Sequence, residues 1–109
     1  MSNKYLRKYL ISEANTPETI YTVPAANSAL LSSLRVTNSN SATAEINAIV
    51  SPAGVAGHKV LDKYLLPVDA TMDVFSGVPL VLEAGDALTV EATEDDVVFW
   101  LSYLEVDRN

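Results

Sequence analysis

Residues 97–106, Val-Val-Phe-Trp-Leu-Ser-Tyr-Leu-Glu-Val, constrain the fold more than any other stretch. Drawn as a β-strand, one face carries Val97, Phe99, Leu101 and Tyr103. The other carries Val98, Trp100, Leu104 and Val106, with Ser102 among them. A strand that is apolar on both faces has to be covered twice. One cover is the chain's own core. The other is either a second part of the same chain or another molecule. The segment just before it behaves differently. Ala87 to Thr93 alternates, with Leu88, Val90 and Ala92 on one side and Thr89, Glu91 and Thr93 on the other. Glu94-Asp95-Asp96 between the two segments reads as the turn of a tight hairpin.

Short apolar runs separated by turn residues recur along the whole chain, the pattern of an all-β fold. Thr16-Pro17-Glu18 is a turn, because proline presets the backbone for it. A short strand over 19–23 ends at Pro24. A strand over 29–37 follows, with Leu30, Leu34 and Val36 assigned to one face. Asn38-Ser39-Asn40-Ser41 suits a hairpin loop. In 43–50, Ala44, Ile46, Ala48 and Val50 point inward while Thr43, Glu45 and Asn47 point outward. Residues 52–57 form a flexible, uncharged loop. Strands are expected over 59–66, closed by Pro67, and over 71–75, closed by Ser76-Gly77. A further strand over 80–82 precedes the tight turn Gly85-Asp86.

That makes eight or nine short strands spaced by near ten residues, which predicts an antiparallel β-sandwich of jelly-roll type. Residues 4–12 admit two readings. Tyr5, Leu6, Tyr9 and Leu10 share a face as a helix, and the same residues also suit an arm-like strand. The arm is the reading taken: residues 1–15 are an N-terminal arm and residues 16–109 the β-sandwich domain. Tyr5, Leu6, Tyr9 and Leu10 folding over the last strand is one candidate for its second cover.

The chain's 109 residues fit a single domain with one modest core. Cysteine is absent, which excludes disulfides, thiolate catalysis and cysteine-ligated metal. No apolar run approaches the roughly 20 residues of a membrane span, and Met-Ser-Asn-Lys-Tyr-Leu-Arg-Lys-Tyr-Leu lacks the apolar core of a signal peptide. Neither a membrane partner nor secretory export is therefore expected. Net charge is −7, which argues against an electrostatic footprint for nucleic acid. The basic residues are clustered: Lys4, Arg7 and Lys8 fall among the first ten residues, which hold no acid. A basic end on an acidic body suits an acidic partner or a neighbouring copy.

No catalytic constellation emerges. His58 is the one histidine, with no G-x-S-x-G elbow to serve as its nucleophile, and it reads as an exposed residue at a loop end. His58 and Asp62, four apart on a strand, share a face but give two metal ligands where catalytic zinc needs three. Glu94-Asp95-Asp96 lacks the spacing of a calcium loop and reads as a solvated turn capping an apolar strand with charge. Gly54 and Gly57 are not followed by the Lys-Ser/Thr of a phosphate loop. No paired carboxylates stand out for glycoside chemistry. Trp100, inside the most apolar strand, reads as a core or interface residue rather than a sugar platform. The sequence implies no enzyme, cofactor or metal.

Residues 19–52, with Val23-Pro24 and then Leu34-Arg35-Val36-Thr37-Asn38, are followed by Leu82-Glu83-Ala84-Gly85-Asp86-Ala87-Leu88 and a last strand ending Tyr103-Leu104-Glu105-Val106. Across residues 19–106 this pattern resembles the small β-sandwich structural proteins of tailed bacteriophages, most of all the capsid decoration, or cement, proteins. The resemblance implies a non-enzymatic virion protein. It would bind across subunits of the major capsid protein and stabilise the head, as a homo-oligomer (dimer or trimer). It implies a place on the capsid surface after assembly in the host bacterial cytoplasm. A phage tail, fibre or baseplate component is the alternative, although the loops at 24–28, 38–42 and 51–58 lack the aromatics that glycan binding would want.

The physical reading places the partner interface on Lys4, Tyr5, Arg7, Lys8 and Tyr9 of the arm and on Val98, Trp100, Leu104 and Val106 of the last strand. Burying those last four would contribute roughly 6–12 kcal/mol before costs, at about 1.5–3 each.

Overall fold

The computed structural model describes residues 3–53, 57–76 and 78–107. Gly54 and Gly77 lie outside the described residues, as does the middle of the 52–57 loop. Nine strands run in chain order: β1 (Asn3–Ile11), β2 (Glu18–Thr22), β3 (Asn27–Asn38), β4 (Ala44–Ser51), β5 (His58–Leu66), β6 (Thr71–Asp73), β7 (Leu80–Leu82), β8 (Ala87–Ala92) and β9 (Val97–Asp107). Among the described residues there is no helix, and so none long and apolar enough to cross a membrane.

Two antiparallel sheets form. Sheet A has the order β1-β9-β3-β6, with β7 also on β3, and sheet B has the order β2-β8-β4-β5. Strands β6 and β7 share one lane end to end, β7 beside Ala29–Leu31 and β6 beside Arg35–Thr37. The pairings nest in sequence: β4 with β5, β3 with β6 and β7, β2 with β8, β1 with β9. Successive pairs fall in opposite sheets, so the chain is a long antiparallel ribbon rolled on itself, the jelly roll. The expected all-β sandwich is the fold observed.

Alternation decides which side chains enter the core. Ala44, Ile46 and Ala48 of β4, and Leu88, Val90 and Ala92 of β8, are fully buried and face Leu34, Val36, Val97, Phe99 and Leu101 of sheet A. Tyr21 enters from β2, where a register shift between Thr19 and Tyr21 turns both Ile20 and Tyr21 inward. Its ring packs 4.3 Å from that of Tyr103.

Three local expectations are corrected. The face assigned to Leu30, Leu34 and Val36 is broken by a bulge at Ser32, between Leu31 and Ser33. The extra residue changes the parity, so Leu31 is buried with Leu34 and Val36 while Leu30 turns outward. Second, β8 and β9 are not a hairpin. They lie in different sheets, and the acidic turn carries the chain across the sandwich. Each has an inward apolar face, and these faces meet across the core; both ladder edges of β9 are taken by β1 and β3. The polar loop after β3 likewise crosses, from sheet A to β4 in sheet B.

Polar side chains secure these crossings. Asn38 is fully buried, and its amide donates to the carbonyls of Ala42 (2.8 Å) and Leu66 (2.9 Å) while its oxygen accepts from the Asn40 N–H (2.9 Å). Ser12 is buried at the acidic crossing; its hydroxyl donates to the Glu94 carbonyl and accepts from the Val97 N–H. Asp86 accepts from the amides of Ala53 and Glu83, and the preceding Gly85 has φ 85, where a Cβ would lie 2.9 Å from that of Ala53.

Candidate interaction face

Residues directly opposite in an antiparallel ladder share a face, so the register of sheet A defines its outer surface. On β1 and β9 the outward pairs are Tyr5 with Leu104, Arg7 with Ser102, Tyr9 with Trp100 and Ile11 with Val98. β3 continues the rows: Leu30 stands opposite Leu104, Ser33 opposite Ser102, Arg35 opposite Trp100, and Thr37 opposite Val98. Val81 of β7 stands beside Leu30, and Asp73 of β6 beside Arg35. No other part of the described chain forms a layer over this surface. Tyr5 is 86% exposed, Val81 63%, Tyr9 58% and Trp100 39%.

Trp100 is the centre of the face. Tyr9 stacks on it at 5.8 Å between ring centroids, tilted by 18°, and the Arg7 guanidinium sits 5.0 Å from the indole centroid. Such stacking and cation–π contacts fix the three side chains relative to each other. Charge is sparse. The only acid among these rows is Asp73, whose Oδ1 accepts from the amides of Leu34 and Phe75. Neither Arg7 nor Arg35 forms an ion pair with a described residue.

The structure therefore brings Tyr5, Arg7, Tyr9, Val98, Trp100, Leu104 and Val106 to one surface, with Val106 opposite Ser28 at its end. It places Lys4 and Lys8 on the other side of β1. Lys8 lies over the Tyr21 ring at 5.7 Å, and Lys4 stands opposite Glu105 in a small cleft shared with Asn27 and Asp107. β1 is the edge strand of sheet A and lies beside β9 rather than over it, so of Tyr5, Leu6, Tyr9 and Leu10 it is Tyr9, stacked on Trp100, that supplies part of the second cover. Of these, Leu10 packs against the core. Sequence reasoning missed Ile11, Leu30 and Val81. Strict alternation in 3–11 and 80–82 would have found Ile11 and Val81; the bulge hid Leu30.

Where titratable groups are perturbed, the cause is the sandwich interior. Burial raises Tyr21 far above the ordinary tyrosine value, and its hydroxyl donating to Glu105 Oε2 at 2.7 Å raises it further. Burial, then the charge of Glu105, also raises Tyr103. Asn27 donates to the other Glu105 oxygen at 3.1 Å, so one carboxylate joins β2, β9 and the start of β3. His58 is exposed, and Asp62 is held by Lys59 at 3.0 Å rather than by His58. Among the described residues no three acidic or histidine side chains gather into a metal site. Asp95 and Asp96 are exposed; Asp95 accepts from the Ala14 N–H.

Neither a family model nor a curated protein matches the sequence. Solved structures do match the fold. One is a chain of the infectious bursal disease virus T13 viral particle, with a TM-score of 0.59 and 11% identity over 95% of this chain and 30% of that one. Another is from the VP2 subviral particle of the same virus, with a TM-score of 0.53 and 10% identity over 95% and 32%. This chain thus spans about a third of the length of the chains it matches. The likeness is one of fold.

Proposed function

We propose that this chain is a non-enzymatic structural protein of a virion. In the finer form of this reading it is a phage decoration or cement protein that lays the outer face of sheet A across adjoining subunits of the major capsid protein. One observation carries the proposal: a central strand, β9, shows Val98, Trp100, Leu104 and Val106 on a surface over which no further layer of the described chain lies. Contiguous exposed apolar surface of this kind marks an interaction site. Its aromatic and arginine content, without lysine or glutamate, is that of an interface centre. The viral-particle fold of its structural neighbours supports the same direction.

A rigid domain that binds the assembled shell more tightly than free subunits stabilises assembly by mass action. Repetition over a shell, and a dimer or trimer of this chain, would multiply a modest contact. The gain per copy is smaller than full burial of four side chains would give. Trp100 is already 61% covered by its neighbours, and Val98, Leu104 and Val106 are half-buried. Residues 1–15 serve as an arm whose strand, β1, contributes Tyr5, Arg7 and Tyr9 to the face. Lys4 and Lys8 point to the other side of β1 and take no part in this face.

The test is solution mass by light scattering together with sedimentation against assembled heads. A dimer or trimer that co-sediments with heads, and fails to do so as Trp100→Ala, is the expected result. A monomer that ignores heads overturns the cement role, and co-sedimentation with tails instead moves the chain to the tail, fibre or baseplate.

A further inference from the structure

The charges around Trp100 say what kind of surface the face takes. Arg7 on β1 and Arg35 on β3 flank β9, one on each side of the indole. Their strands are two ladder spacings apart, about 10 Å. Both are exposed and neither is neutralised within the described chain. The one carboxylate in the same rows, Asp73, is turned to backbone amides. The chain as a whole carries twice as many acids as bases, so a face with two arginines outside any ion pair to a described residue and one engaged acid departs from that balance.

We infer that the face docks on a protein surface bearing carboxylates, which enter on either side of Trp100 and pair with Arg7 and Arg35 while apolar side chains cover Trp100, Leu104 and Val81. The inference rests on the docking reading above and specifies its partner. Arginine suits the role because its planar fork pairs with a carboxylate through two hydrogen bonds and stacks on aromatic rings, as Arg7 already does. A second copy stacked face to face is disfavoured. It would bring four arginines into one desolvated layer with two engaged aspartates to offset them, and like charges at an interface act against association. A nucleic acid would also supply anions, but the net charge of −7 opposes a polyanion that extends beyond the face.

The experiment compares the full chain, Trp100→Ala, the pair Arg7→Gln/Arg35→Gln and the pair Arg7→Lys/Arg35→Lys. All are tested against assembled heads and against a single-stranded oligonucleotide, at low and high salt. Trp100 is the only tryptophan, so its fluorescence reports occupation of the face directly in the chains that retain it. The glutamine pair is expected to stay folded by circular dichroism, to bind heads at least about tenfold more weakly at low salt, and to lose most of the salt dependence of the parent. The lysine pair should recover part of the affinity. Binding by the parent with equal affinity and equal salt dependence in the glutamine pair would overturn the carboxylate partner and leave the docking reading standing. No binding by the parent would overturn both. A Trp100 response to the oligonucleotide that vanishes in the glutamine pair would assign the arginines to phosphates and overturn a protein partner.

Discussion

The two sheets bury their inner faces alike and differ completely on the outside. The outer rows of sheet B carry polar pairs on β2, β8 and β4, while β5 also exposes Leu65 (61%), opposite Glu45, with Val60 and Tyr64. Thr19 meets Thr89 at 3.1 Å, Asn47 donates to Glu91 at 3.3 Å, and Lys59 pairs with Asp62. Its edge strand β5 is irregular, with two register shifts against β4, and turns Lys59, Asp62 and Lys63 to solvent. Charge and irregularity of this sort keep a sheet edge from pairing with a stranger. The outer rows of sheet A hold Tyr5, Tyr9, Ile11, Trp100 and Val81 with two arginines that pair with no described acid. Sheet B pairs several of its outer polar side chains within the chain, whereas sheet A gathers aromatic side chains and arginines around Trp100, and the docking proposal rests on that contrast.

Substitutions can break the contrast or sharpen it. The largest effect belongs to the layer both sheets share. Phe99→Ala removes a fully buried ring and should cost about 3–5 kcal/mol in urea unfolding. Its neighbour Trp100, a still larger aromatic on the outer side, should cost about 1–2 kcal/mol as alanine, the value of its stacking and cation–π contacts, while abolishing head binding. Equal losses at the two positions would show that the outer face of sheet A is part of the core.

Next comes the tie between the sheets. Tyr21→Phe removes the hydrogen bond to the Glu105 carboxylate and should cost about 1.5–3 kcal/mol. It should also change the alkaline limb. Tyr21 holds its proton more tightly folded than unfolded, so above about pH 10 the unfolded chain loses a proton that the folded chain keeps. Stability then falls as pH rises past that point. Unfolding curves across this range should fall less steeply for Tyr21→Phe than for the parent.

On the outer face of sheet B, Asn47→Ala loses the bonds to Glu91 and to the Lys63 N–H and should cost about 1 kcal/mol with head binding unchanged. The smallest effect is Asp62→Asn, under about 0.5 kcal/mol, because its ion pair with Lys59 is solvent-exposed. Lost binding in either sheet B variant would move the docking face.

What was legible in the sequence follows from range. Alternation is local, so the inward sets of β4, β8 and β9 could be assigned from the residues alone. The apolar second face of β9 was equally plain, because no local pairing explains Trp100 and Leu104 together. The bulge at Ser32 was not legible, since a single extra residue leaves the composition of β3 unchanged while reversing its faces. Nor was the destination of a turn. Glu94-Asp95-Asp96 has the chemistry of a bend whether the chain returns beside itself or crosses to the opposite sheet, and the ladder partners of β9 lie far away in sequence. The same blindness joined Lys4 and Lys8 to Tyr5, Arg7 and Tyr9 as one basic patch. Pleating sends them to opposite sides.

The nesting of the strands also sets an order in time. β9 is the middle of sheet A, between β1 and β3, although it is the latest of the three to be synthesised. Until residues 97–107 have left the ribosome, β1 has no ladder partner and β3 has only the short β6 and β7 along its far side. Pairing over such sequence distance is slow, because the loop must close before any contact repays it. A nascent chain therefore carries Leu31, Leu34 and Val36, all fully buried in the finished fold, without β9 beside them through most of its synthesis.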